Sequence, residues 1–221
     1  MKSFNWKKYT LLVGVLFLFP LIWVLFFGVM GKHHFNTLPY YDAAHLDGDT
    51  TQLSHGVSDA ELMDERFQPF HLKQLEGKVW LACFYDLTDE HIGKITERLL
   101  NVNFKYRNEP DIGLVVISRK PDSLKQEQVQ AYLSGLTKYN KFDGKWKFLM
   151  ADDSVVSKIE KESFFIQDLS KEARFRLVDT KGHIRGLYGN TEYHMQSIIE
   201  DIALLKKEVD IARYQERHAA E

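Results

Sequence analysis

One cysteine, Cys83, in a chain of 221 residues excludes several chemistries by counting alone. A single thiol closes no intramolecular disulfide, forms no CxxC or CxxxC redox centre and offers no dithiolate to a metal. A basic excess is also missing: 29 Lys and Arg stand against 31 Asp and Glu, a formal net charge of −2. The two signs are interspersed along the chain, the pattern of a solvated surface. Binding to phosphate backbones needs a concentrated basic face, so nucleic acid is excluded as a partner. There is no G-x-S-x-G elbow for a serine nucleophile, and no G-x-G-x-x-G turn or P-loop to cradle phosphate. Neither an internal repeat nor a low-complexity segment organises the chain.

What is present first is a long apolar run, YTLLVGVLFLFPLIWVLFFGVM, from Tyr9 through Met30. Lys2, Lys7 and Lys8 precede it, and no acid follows until Asp42. At helical rise it covers roughly 33 Å, about one bilayer core, and Pro20 is tolerated better in lipid than in water. A cleavable signal peptide would carry only about 7–15 apolar residues and end in a small-x-small site; Gly28-Val29-Met30 is a poor one. The run therefore reads as a single-pass anchor in the cytoplasmic (inner) membrane. The clustered lysines place residues 1–8 in the cytoplasm and the rest outside it, in the periplasm. Residues 31–64 read as an extracytoplasmic linker, 65–209 as one domain and 210–221 as a charged tail. The linker histidines His33, His34, His45 and His55 read as solvated, because a tether does not hold metal ligands at fixed spacing.

Beyond the linker the pattern becomes regular. Residues 77–85, GKVWLACFY, are a short apolar run suited to a strand buried on both faces. Thr88 can cap the helix that follows, with Asp89 and Glu90 at its positive end and Ile92, Ile95, Leu99 and Leu100 at helical spacing. A second buried strand is expected over 112–118. Ser123 opens a helix with Val129, Tyr132, Leu133 and Leu136 on one face, and a third strand is expected over 146–150. A short helix over 155–164 leads to two strands, 174–179 and 183–188, joined by the turn Thr180-Lys181-Gly182. A long helix over 191–214 closes the chain. The order β-α-β-α-β-α-β-β-α predicts a mainly parallel sheet covered on both faces, with an antiparallel hairpin at one edge.

Particular segments carry a resemblance: GKVW at 77–80, PDS at 121–123 and WKFLMADDSVVSKIEKESFFI at 146–166. LVDTKG at 177–182 is shared more widely among thioredoxin-like proteins. In these the chain resembles the Sco/SenC/PrrC family, membrane-anchored thioredoxin-fold factors that help assemble the copper centre of cytochrome oxidase. The resemblance implies an α/β, thioredoxin-like domain of the Sco/peroxiredoxin type behind a single N-terminal transmembrane helix. It also implies partners among respiratory-oxidase or copper-assembly proteins, and it is the sole ground for copper as a cofactor. The family's chemistry lies in a CxxxC motif between the first strand and helix and in a histidine just before the hairpin. Soft sulfur selects Cu(I), and imidazole accommodates Cu(II). Here Cys-Phe-Tyr is followed by DLTDEHI without a cysteine, and the histidine position falls on Lys171.

Three residues are candidates for a rebuilt metal site: Cys83, His91 and His183. Cys83 reads more readily as a small buried hydrophobe inside an apolar strand, and a reactive thiol would need an electropositive, accessible setting. His183, beside the hairpin glycine, and His194, on the last helix, read as surface histidines. The acids Asp86, Asp89 and Glu90 mark the face that the family's active loop would occupy, and on that analogy they form a partner surface. The resulting expectation is a binding or scaffolding domain near oxidase or copper-centre assembly, not an enzyme and without thiol redox chemistry. The alternative is a metal-binding or single-thiol redox protein built on Cys83.

Overall fold

The computed structural model of the chain describes residues 16, 18, 19, 22, 23, 37–41, 56–86, 89, 92–120, 125–137, 145–166 and 174–219. Two units emerge, Met1–Asn36 and Thr37–Glu221. In the first, Leu16, Leu18, Phe19, Ile22 and Trp23 are helical and exposed. The anchor expected from Tyr9 to Met30 otherwise lies outside the described residues. Among the described residues no helix is long and apolar enough to cross a membrane.

The second unit carries the strand and helix alternation expected from the sequence. Its elements are β1 (Glu61–Met63), β2 (Pro69–His71), a 3-10 turn (Leu72–Leu75), β3 (Val79–Phe84), α1 (Ile92–Lys105), β4 (Ile112–Arg119) and α2 (Gln126–Thr137). They continue with β5 (Trp146–Ala151), α3 (Asp153–Glu162), β6 (Phe175–Val178), β7 (Ile184–Tyr188) and α4 (Glu192–Ala219). Seven strands form one sheet in the order β2-β1-β5-β4-β3-β6-β7. β3, β4 and β5 are parallel to one another, and the pairs outside them are antiparallel. Thr88 and Ser123, expected to open α1 and α2, lie outside the described residues.

Period-2 alternation along the central strands sorts the core into two layers. Val79, Leu81 and Cys83 of β3, with Tyr85 just past its end, face Ile95, Leu99 and Val102 of α1, Val129 of α2, and Met195, Ile198 and Ile202 of α4. Trp80, Ala82 and Phe84 face the opposite way, onto Val156 and Ile159 of α3, Leu72, Leu75 and Phe164. Both faces of β3 are therefore dry, which explains its continuous apolar sequence.

Two boundaries differ from the sequence reading. The linker expected over 31–64 ends earlier, because its C-terminal part belongs to the sheet. β1 pairs with β2 over Glu61–Met63, and the side chain of Leu62 is buried. Further upstream, Tyr41 donates its N–H to Ile184 O (3.0 Å) and Val57 to Gly182 O (2.8 Å). Leu38 N–H donates to Glu208 Oε1 (2.8 Å), while buried Arg185 reaches Leu38 O (2.6 Å), Glu208 Oε2 (2.9 Å) and the Tyr40 ring. The charged tail expected over 210–221 is likewise the end of α4, held by Arg213 Nη1 on Asp111 Oδ2 (2.7 Å).

A glycine decides the packing of β7. Tyr188 lies back over Gly186 so that its hydroxyl donates to Asp201 Oδ2 of α4 at 2.7 Å, and a Cβ on Gly186 would be driven into the tyrosine ring. Overpacking of this kind costs roughly 1–3 kcal/mol. Gly186→Ala is expected to lower the unfolding free energy by that amount, seen as a lower denaturation midpoint with an unchanged slope. An unaltered midpoint would show that the Tyr188–Asp201 contact does not hold β7 to α4.

Candidate functional site at the strand and helix junction

The parallel strands β3, β4 and β5 all end on one side of the sheet, at Phe84, Arg119 and Ala151. In open parallel sheets this is the side on which ligands bind. Here it is crossed by charge pairs. Asp86 Oδ1, just beyond β3, accepts the Arg119 N–H (2.8 Å) and the Ser118 hydroxyl (3.2 Å), which pins the outgoing chain to the end of β4. The Arg119 guanidinium then spreads onto α3. It meets Glu160 through both carboxylate oxygens (3.0 and 2.6 Å) and Asp153 Oδ1 (2.6 Å). Burial works to lower the pKa of Arg119, but the bonds from Glu160 and Asp153 outweigh it and raise the pKa, so the guanidinium stays charged.

A second pair closes the junction from the other neighbour of β3. Arg174, the residue before β6, binds Asp89 through Nη1 and Oδ2, with only 15% and 14% of their side chains exposed. Asp89 N–H donates to Asp86 O (3.0 Å), and Ile92 N–H, at the start of α1, donates to Asp89 O (3.0 Å). Two of the three acids read from the sequence as partner contacts, Asp86 and Asp89, are therefore engaged within the chain. Glu90 and His91 lie outside the described residues, as do Lys171 and the linker histidines His33, His34, His45 and His55.

Cys83 sits beneath this pair, wholly buried, opposite Phe175 on β6 and Val116 on β4. Burial pushes its thiol well above the ordinary range; Arg174 pulls it down and Asp89 pushes it up by lesser amounts. Beside it the Tyr85 and Tyr132 hydroxyls meet at 2.5 Å and Thr96 Oγ1 joins Tyr132 at 2.8 Å. This cluster is neutral, since burial also raises the pKa of Tyr85 well above its usual value.

The fold does not bring His183 to Cys83. Cys83 pairs with Phe175 near the end of β3, whereas the turn before His183 hydrogen-bonds Gly77 ahead of β3. At strand rise the four residues from Cys83 back to Val79, the start of β3, alone span roughly 13 Å. His183 is instead fastened to Asp179, N–H to Oδ1 at 2.9 Å and Nδ1 to Oδ2 at 3.3 Å. His194 Nδ1 accepts the Gly189 N–H at 3.0 Å. Among the described residues no group of three or more His, Cys, Asp or Glu is placed to hold a metal ion. A buried thiol and carboxylates bonded to guanidinium do not make the soft donor set that copper requires.

The sequence reading missed Arg119, Arg174, Glu160 and Ser118. Its one local trace of them was the row of charges around ADDSVVSKIEKE, of which Asp153 and Glu160 meet Arg119 of β4. Two clefts, of about 570 Å³ between residues 58–61 and α3 and about 330 Å³ between α4 and the β6–β7 turn, lie away from the junction. Among the described residues the junction is a charged surface held by its own ion pairs.

No protein-family model and no curated protein matches the sequence. Solved structures do. A SCO1/SenC family lipoprotein from Bacillus anthracis str. Ames is 21% identical, with 68% of this chain and 95% of that one covered at a TM-score of 0.57. BsSco, a member of the Sco family of cytochrome c oxidase assembly proteins in which a disulfide switch was identified, is 22% identical; 68% and 93% are covered, also at 0.57. Arabidopsis thaliana ScoI, solved with copper bound, is 14% identical, with 70% and 99% covered at 0.53. The chain therefore has the α/β thioredoxin-like fold of Sco/SenC proteins, in agreement with the resemblance read from its sequence.

Proposed function

We propose that this chain is a Sco-like protein, anchored in the cytoplasmic membrane by Tyr9 to Met30 with its N-terminus inside. Its thioredoxin-fold domain stands on the periplasmic side and serves cytochrome oxidase or copper-centre assembly as a binding and scaffolding domain, without thiol redox chemistry. One observation carries this reading: at the junction where the family resemblance implies paired thiols, the chain has an Asp89–Arg174 ion pair, and its one thiol is sealed beneath. Thiol exchange needs an accessible thiolate, and a sealed, neutral thiol supplies none. What remains at the junction is a fixed surface of charge and shape, which suits docking.

The test is complementation of cells that lack the chain, read as cytochrome oxidase activity per unit of membrane protein. Activity is expected to fall without the chain and to return with both the wild type and Cys83→Ala. Protease added to cells stripped of their outer layer is expected to remove the domain and to spare Lys2 to Lys8. A folded, membrane-located Cys83→Ala that fails to restore activity would replace the scaffold with a thiol mechanism. A protected domain would overturn the orientation.

A further inference from the structure

α4 is 28 residues long, and its last buried residue is Leu205. Beyond that point the helix is fastened along one side. Lys206 pairs with Glu109, Val209 packs partly onto the core, and Arg213 pairs with Asp111. At about 100° per residue these three share one face of the helix. Ile211, Tyr214 and His218 fall on the far side and are exposed, Ile211 by 36% and Tyr214 by 59%, with the Tyr214 and His218 ring centroids 4.0 Å apart and the planes tilted by 31°. Their spacing of three, then four, is that of a two-helix seam.

The charges beside the seam indicate what covers it. Asp210 and Arg217, both exposed, each precede a seam residue by one position, so they flank the same side of the seam one heptad apart. When two copies of α4 lie antiparallel, a two-fold axis sets each Asp210 against the other copy's Arg217 and each Ile211 against the other's Tyr214. Parallel copies would set Asp210 near Gln215 and make no ion pair. We propose that this face of α4 is a self-association surface, joining two copies of the chain through an antiparallel, two-fold helix pair. In this register His218 falls opposite the other copy's Lys207, so the apolar seam is Ile211 and Tyr214 of each copy, short of the roughly 1,200–2,000 Å² of a stable specific interface, and the dimer is a weak one that forms at high local concentration.

Sedimentation of the full chain in detergent micelles over a dilution series tests this. The wild type is expected to associate reversibly. Ile211→Lys, and separately Asp210→Arg, should each weaken association by about tenfold. The double variant Asp210→Arg/Arg217→Asp should recover it, because both ion pairs return with their signs exchanged. Ile211 and Arg217 are exposed, whereas Asp210 also attracts Lys206 and Arg213, which hold α4, so thermal unfolding of every variant is measured and association is compared at a temperature where all of them are folded. A chain that stays monomeric at every concentration overturns the proposal. So does association that survives Ile211→Lys, or a double variant as weak as Asp210→Arg alone.

Discussion

Arg174→Met and Asp89→Asn are each expected to destabilise the domain by roughly 3 kcal/mol, the low end of the range for removing one partner of a buried pair. The low end applies because about one-seventh of each side chain is still exposed. In a domain of this size the loss lowers the melting temperature by roughly 6–12 °C. The exchanged pair Asp89→Arg/Arg174→Asp should regain at least half of that, because the penalty comes from removing this ion pair around a charge that stays mostly buried. Measured melting temperatures for the four chains decide the matter. If both single variants melt with the wild type, the pair contributes nothing to stability. If the exchanged pair melts as low as the sum of the single losses, the two residues act separately. The same set refines the proposed function, since Asp89 was read from the sequence as a partner contact. An exchanged pair that folds but no longer supports oxidase activity would keep that role for it. One that folds and works would make Asp89 a support for the loop.

The central alternation from β3 to α4 was legible because each element there is long enough to state its period. β3 and β4 are continuous apolar runs, and α1 repeats Ile95, Leu99 and Val102 on one face. β1 and β2 were not legible, since three residues cannot establish an alternation. The turn between them is also unusual: Phe67 has a positive φ of 60° where glycine or asparagine would be the expected signal. The segment Leu38 to Tyr41 was hidden for a different reason. It is held by Arg185 and Glu208, which lie 147 and 170 residues further along the chain from Leu38.

The site was legible in its position and not in its contacts. The sequence singled out Asp86 and Asp89 as acids at a helix start, which is a local reading. Their actual partners are Arg119, 33 residues away, and Arg174, 85 residues away. A charge pattern read along the chain cannot distinguish an acid offered to a partner from one already bonded across the sheet. Cys83 was read correctly as a buried residue because its own strand decides its burial, with no distant partner needed.

Cys83 is expected to react with a soluble alkylating reagent roughly a thousandfold more slowly in the folded chain than in the unfolded one. A thiol sealed in the core reacts only through opening, and opening a core strand costs about 4 kcal/mol or more. The same burial makes stability depend on pH, in a direction that can be worked out. An unfolded thiol ionises near 8.5, while burial holds the folded one well above its usual range. Below about 8.5 both states keep the proton and the contribution is fully present. As pH rises further, only the unfolded chain releases it, and stability falls by about 1.4 kcal/mol per pH unit until the folded thiol also ionises. Cys83→Ala lacks this slope, so the difference in unfolding free energy between the two chains should shift in favour of the variant above pH 8.5. Taking the difference cancels the buried tyrosines, whose pKa values are raised in both chains. Alkylation of the folded chain at the rate of a free thiol at neutral pH would contradict the seal. A difference that stays level through pH 10 would contradict the raised pKa, and Cys83 would then return as a candidate nucleophile.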